Sequence, residues 1–327
     1  MKQCLCSIVK MVCIFSLLIS AFVHCADSTY PNRPIKVIVP FPPGGPTDNY
    51  ARLIASKMAE DFKQPVIVEN RAGGTGTPGT LAVMNAPADG YTLIFTSNSA
   101  HLISPLLKFP MPYDSVKDFS PLSMVIKYPM YLLTNSNLPV KNVTEFIQYA
   151  KTHPNQLNYS SVGIGSGGHL ACELFNIAAG TNVVHVPYKG AAPAQAALIG
   201  GETQMFCDSV GNSQGMVNAG KMRGLALFSD KRSTVAVDVP TMGEMGLPGL
   251  AAYIWLGMLA PPNLPVEIQN KLNAELVKIM AMPDVSAFAL KGGNDIVANT
   301  PAQFAQMMRD EKEVWAKVIR EKNIKPE

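Results

Sequence analysis

Several residue groups have the types and spacing for chemistry, and most fail on context. Gly163-Ile164-Gly165-Ser166-Gly167-Gly168 satisfies the glycine pattern of dinucleotide sites. Such a site wants an acid on the next strand, where the chain has His185 to Lys189 and none. Gly211-Asn212-Ser213-Gln214-Gly215 matches a nucleophile elbow. Its triad runs serine, acid, then histidine, but His24, His101, His153, His169 and His185 all precede Ser213. Gly215 to Lys221 nearly forms a phosphate loop, with Met222 where a magnesium-binding hydroxyl belongs. His169 and Glu173 share a helix face without a third metal ligand nearby.

What survives is a set of loops suited to a small anion. Pro42 to Asp48 joins an apolar run to a helical stretch, and Ser161 to Ser166 does the same later in the chain. Thr96 to His101 closes a third apolar run with hydroxyls. Helix N-termini carry unpaired N–H groups and partial positive charge, so they hold a carboxylate without Lys or Arg. In open α/β sheets ligands bind beyond the carboxyl ends of strands, where these loops lie.

The elements that position the loops follow a strand–helix rhythm. Residues 35–40, 66–68 and 91–95 read as strands, with a helix from Pro46 to about Phe62 carrying Tyr50, Leu53, Ile54 and Met58 on one face. The rhythm resumes with strands at 157–160, 183–186, 204–207 and 224–227, and with helices near 143–152, 168–179, 191–199 and 211–219. This alternation predicts parallel sheets with helices on both faces, in two similar α/β lobes. Residues 119–134 and 225–231 are the expected crossings. Thr241 with Glu244, and Thr300 with Gln303, predict capped helix starts. Phe304, Met307, Met308, Glu311, Val314, Trp315, Val318 and Ile319 predict a long terminal helix with an apolar docking stripe.

The chain has 327 residues, 47% hydrophobic and 16% charged, which excludes a disordered chain and suggests two domains. Lys2 and Lys10 flank a short polar start, and an apolar run from Met11 to Val23 follows, the pattern of a secretory leader over residues 1–25 with cleavage before Ala26. A lipid anchor at Cys25 is the second reading, weakened by the poor lipobox of Phe22-Val23-His24-Cys25. Without the leader, 25 basic and 24 acidic side chains remain, interspersed, so no nucleic-acid partner is expected. Four of six cysteines lie in the leader. Cys172 and Cys207 read as small buried apolar residues, with pairing in an oxidising compartment left open.

The wording of the loops is more specific than their chemistry. Tyr30 to Asp48, with its Pro42-Pro43-Gly44-Gly45 turn, resembles the opening of mature Bug/TctC-type proteins, the receptors of tripartite tricarboxylate transporters. The resemblance continues through Val68-Glu69-Asn70-Arg71, Asp89 to Leu93, Leu157 to Ser166, His185 to Gly190, Gly220 to Arg223, Asp238 to Thr241 and Ile324-Lys325. It implies a type II periplasmic-binding-protein fold: two α/β lobes joined by crossing strands, with a small carboxylated ligand between them. Lobe 1 would comprise residues 26–126 and 231–327, and lobe 2 residues 127–230. Carried over by motif, Pro42, Gly44, Thr47, Asp48, Thr96, Ser97 and His101 would supply first-lobe contacts. Ser161, Gly165, Ser166 and His169 would form the second lobe's anion cradle. Tyr188, Lys189 and Gly190 would line the cleft, and Asp208 would face it. Met205 to Ser209 and Gly73 to Gly79 depart from the family's usual wording. The resemblance also implies a periplasmic monomer with no catalysis, no cofactor and no metal, serving membrane permease subunits. Its ligand would be a di- or tricarboxylate, an acidic amino acid or an aromatic carboxylate. A sensor protein engaged without a permease is the alternative partner, and a serine hydrolase using Ser213 the third reading.

Overall fold

The first strand, β1 (Ile35–Val39), is buried almost throughout. The computed structural model describes residues 30–325, apart from 74–75 and 108–110. The leader and its cleavage site lie outside the described residues. The order continues with α1 (Pro46–Phe62), β2 (Val66–Asn70), α2 (Thr77–Met84), β3 (Thr92–Ser97), a π-helical turn Ser99–Ile103 and α3 (Ser104–Leu107). A 16-residue strand β4 (Ser120–Asn135) leads to α4 (Val143–Thr152), β5 (Asn158–Ser161), α5 (Gly167–Ala179) and β6 (Val184–Pro187). Then come α6 (Ala191–Gly200), β7 (Met205–Ser209), α7 (Val210–Asn218), β8 (Met222–Leu227) and β9 (Tyr253–Ala260). The chain closes with α8 (Val266–Met280), α9 (Pro283–Lys291), β10 (Asp295–Ile296) and α10 (Pro301–Glu321).

Strand order is β2-β1-β3-β9-β4-β7-β5-β6, with β8 and β10 also pairing β4. The two outer trios are parallel, as the alternating pattern predicts. The middle is not. β9 runs antiparallel to both β3 and β4, and β4 antiparallel to β7 and β8. β9 is absent from the expected elements because Tyr253 to Ala260 is apolar on both faces and shows neither a period nor a βαβ partner.

β4 makes the first crossing. Its stretch up to Pro129 pairs with β9, and from Met130 it pairs with β7 and β8. The return comes later than residues 225–231: Ala252 N–H still bonds to Phe228 O in the second lobe, and Tyr253 pairs with Pro129. Two apolar layers sandwich each lobe's sheet. Ile35, Val37, Ile54 and Leu276 cluster on one face of the first sheet, with Ile38, Ile94, Trp255 and Phe304 on the other. Phe146, Tyr159 and Phe175, then Tyr131, Leu198 and Phe206, do the same for the second.

The terminal helix bridges both halves. Phe304 and Met308 of α10 pack in the first lobe, while Trp315 and Val318 join the Phe146 and Phe175 cluster. At its centre Glu311 accepts hydrogen bonds from Asn98 Nδ2 (2.6 Å), Trp255 Nε1 (2.5 Å) and Trp315 Nε1 (2.8 Å). Thus an acid in the apolar stripe ties α10 to β9 and to the turn after β3. Burial pushes its carboxyl pKa up, and the three donors partly offset this. The Thr300 capping box forms as expected. The Thr241 box forms too, with Thr241 N–H on Glu244 and Glu244 N–H on Thr241 Oγ1, but only turns follow. Gly246 and Gly249, both at positive φ, and Pro248 end any helix there.

Cys172 and Cys207 form a disulfide across 35 residues, with Cα atoms 5.8 Å apart. This replaces the reading as two separate apolar side chains. α5 lies directly over β7, so close that a Cβ on Gly168 would come within 2.3 Å of Cys207 O.

Candidate functional site

The first site loop runs from the buried end of β1 into α1. Gly44 takes φ +85°, open to glycine at little cost, and Pro46 occupies the first turn of the helix. Asp48 holds the turn from behind. Its carboxylate accepts Gly44 N–H (2.9 Å), Arg52 Nε (2.9 Å) and Asn70 Nδ2 (2.8 Å). The Arg52 hydrogen bond first, and then those from Gly44 and Asn70, hold its pKa down to about 2 against the opposing effect of burial.

The second loop leaves β5 and enters α5 through Gly163 and Gly165, both at positive φ. Ser166 is the N-cap, its Oγ accepting His169 N–H at 3.2 Å. The hydroxyl proton of Ser166 therefore remains to be donated. Gly165 N–H bonds to His169 Nδ1 (2.9 Å), which places the ring proton on Nε2. His169 stacks on His185 with centroids 3.8 Å apart, and His185 stacks on Tyr159. Burial chiefly lowers both histidines, His169 to about 3 and His185 to about 4, so the stack is neutral near pH 7. Ser161 Oγ lies 2.6 Å from His185 Nε2 and accepts Gly163 N–H, linking stack to loop.

Two adjoining cavities open between these loops, sharing Phe41 and Ser99. One, of about 570 Å³, lies between Pro40, Phe41 and Pro42 on one side and Val162 to Ser166 on the other. The other, of about 660 Å³, reaches Thr47, Tyr50, Ser97 and Tyr128, the start of α7 at Gly211 and Asn212, and the end of α9 at Lys291. Both sizes suit a small-molecule site.

Of the residues expected from the sequence, Pro42, Gly165 and Ser166 line the first cavity, and Thr47 and Ser97 the second. Gly44, Asp48, Ser161 and His169 line neither cavity and fix their loops through the bonds above. Asp208 has a similar place. It is buried beneath α7 and accepts Ser213 Oγ (2.8 Å), Gln195 Nε2 (3.1 Å), Ser209 N–H (2.8 Å) and Asn212 Nδ2 (3.3 Å). Burial pushes its pKa up against those four donors. Asp208 lines neither cavity, whereas its neighbours Ser209, Gly211 and Asn212 line the second.

Others sit elsewhere. Thr96 is buried within β3. His101 is fully buried, its Nε2 2.7 Å from Ser115 O and its ring edge-on to Phe119, with its pKa lowered to about 4 by burial. Tyr188 turns its hydroxyl to Glu202 (3.2 Å), and neither it nor Lys189 nor Gly190 lines either of these two cavities. Ser213 is buried on Asp208. No group of His, Cys, Asp and Glu among the described residues could hold a metal ion.

Sequence reasoning missed Phe41, Tyr50, Ser99, Tyr128, Ile254, Phe288, Lys291 and Asn294 as lining residues. Ser99 had a signal in the hydroxyl-rich end of the third strand. Tyr50 read as core on its helix face. Phe41 lies within the first site loop and Asn294 just after α9; the rest come from β4, β9 and α9, which only tertiary folding brings to the loops.

The family model of the tripartite tricarboxylate transporter family receptor matches residues 50–324. Protein BugT of Bordetella pertussis is 38% identical over 299 residues, 91% of each chain. Among solved structures, R. palustris Rpa4515 with adipate is 32% identical at a TM-score of 0.76, covering 91% of this chain and 100% of that one. MatC from Rhodopseudomonas palustris, with bound malate, is 33% identical at 0.73, covering 89% and 100%. BugD, a periplasmic binding protein, is 31% identical at 0.72, covering 91% and 100%. The two-lobed architecture of periplasmic binding proteins is thus shared across nearly the whole described chain. With its site loops on two α/β lobes and this breadth of similarity, the chain belongs to the tripartite tricarboxylate transporter family of solute-binding receptors.

Proposed function

We propose that this receptor works in the periplasm, where it captures a small carboxylate between its lobes and passes it to membrane permease subunits. The observation that carries the reading is the first cavity. It is walled by the Pro40 to Pro42 segment of one lobe and by Gly163 to Ser166 of the other, and it meets the N-terminus of α5. A carboxylate there accepts N–H groups and the Ser166 hydroxyl without an arginine clamp. The adipate and malate seen in two relatives support the ligand class. The leader pattern of residues 1–25 supports export, and no described helix is long and apolar enough to cross a membrane. A monomer suffices, because one chain supplies both walls.

Calorimetric titration with a panel of C4–C6 dicarboxylates, citrate, acidic amino acids and aromatic carboxylates tests this. At least one should bind, and Ser166→Ala should weaken that ligand by about 0.5–1.5 kcal/mol, or by up to roughly 3 if the bond is charge-assisted. Ser213→Ala should leave affinity nearly unchanged, since Ser213 serves the buried Asp208. A silent Ser166→Ala beside a crippled Ser213→Ala would overturn the site and revive a hydrolase.

A further inference from the structure

The two cavities differ in chemistry, although Phe41 and Ser99 belong to both. The first is bounded by prolines, glycines and serines at a helix N-terminus. The second has flat apolar walls: Phe41, Ile254, Leu256, and a Tyr50–Phe288 pair packed edge to face with centroids 5.0 Å apart. Phe288 is 46% exposed, a large aromatic face left open at the cleft.

The same chamber also carries polar groups. Lys291 ends α9 there and makes no ion pair among the described residues. The Tyr128 hydroxyl is buried with no hydrogen-bond partner among the described residues. Tyr50 O accepts Asn294 Nδ2 (2.9 Å), so the phenolic proton of Tyr50 is free to donate. A cation beside an aromatic slot matches a flat ligand ending in an anionic group.

We infer that the cleft is bipartite, and that its preferred ligand is an aromatic diacid. One carboxylate is anchored in the first cavity, the ring lies against Phe41, Tyr50 and Phe288, and the remote carboxylate meets Lys291. This rests on the carboxylate-receptor reading and adds what the second chamber selects. A four-carbon acid held at the Ser166 loop would leave the aromatic walls wet and Lys291 unpaired. A ring diacid uses both, since burying apolar surface and pairing Lys291 each favour it.

Calorimetric titration of the full mature chain with succinate, adipate, benzoate and para-benzenedicarboxylate decides the matter. The ring diacid should bind at least about tenfold tighter than both succinate and benzoate. Lys291→Met should bring it down to the level at which the wild type binds benzoate. Lys291 is exposed, so its replacement spares the fold. Succinate binding as tightly as the ring diacid would overturn the inference, as would a Lys291→Met variant that keeps the wild-type preference. Binding of all four acids without discrimination would sink the bipartite cleft alone. Binding of none of them would sink the carboxylate reading as well.

Discussion

Asp48 and Asp208 are both buried carboxylates that line neither cavity, and their surroundings drive them in opposite directions. Asp48 has a guanidinium on it, from Arg52, besides the Gly44 N–H and Asn70 amide, and its pKa falls to about 2. Asp208 has only neutral donors, so burial dominates and its pKa rises. The linkage signs differ accordingly. The stability that Asp48 contributes is fully present above its unfolded pKa of 3.8 and is lost as pH falls through about 2. Ionising Asp208 costs the folded state more than the unfolded one, so its contribution declines as pH rises from 3.8. Urea unfolding between pH 5 and pH 2 should therefore show a loss of stability toward acid that Asp48→Asn reduces. An unchanged slope in that variant would mean that the Arg52 contact does not hold the turn in solution. Both aspartates were expected to touch ligand. Sequence identifies an acid in a site motif, but only the surrounding donors decide whether its oxygens face the ligand or its own loop.

At the scale of elements, the disulfide between α5 and β7 sets how the Ser166 helix sits over the second sheet. Closing a 35-residue loop removes unfolded-state entropy equivalent to about 3–4 kcal/mol in the chain-entropy account. Replacing both cysteines by serine should lower stability by about that amount, as read by chemical denaturation against the oxidised wild type. A change under about 1 kcal/mol would show that the pair adds no constraint. The pairing was not readable from two cysteines alone, since spacing does not report whether a helix lies across a strand. Strands β1, β3, β5 and β7 and helices α1 and α5 were readable, because apolar runs and helical periodicity are local. β9 was not: a strand buried on both faces carries no alternation, and its antiparallel insertion depends on partners far along the chain.

For the whole molecule, the close approach of the two lobes is concentrated at a few glycines. A Cβ on Gly165 of the second lobe would meet Leu107 Cδ1 of the first at 2.1 Å, and one on Gly211 would meet Gly292 O at 2.8 Å. Gly165 also has φ +73°, where a side chain is strained whatever space surrounds it. Gly165→Ala should therefore hold the lobes apart and distort the Ser166 loop, weakening ligand binding by about tenfold or more. Small-angle scattering should then show a smaller contraction on saturation than in wild type. Equal affinity and equal contraction would mean that Leu107 simply moves aside. Closure about a ligand also predicts mass-action stabilisation, about 2.7 kcal/mol at 100 times the dissociation constant.

The sequence by itself determined the two α/β halves, the loops at the ends of their strands, and the capped start of the terminal helix. These follow from apolar periodicity, glycine and proline placement and N-cap chemistry, all of which act within a few residues. Only the tertiary structure decided that Asp208, Ser213 and His169 line neither cavity, that Cys172 meets Cys207, and that Phe288 and Lys291 join Phe41 around one chamber. These outcomes depend on how β4, β9 and α10 join the two halves, because long-range packing sets which side of a buried loop faces the cleft.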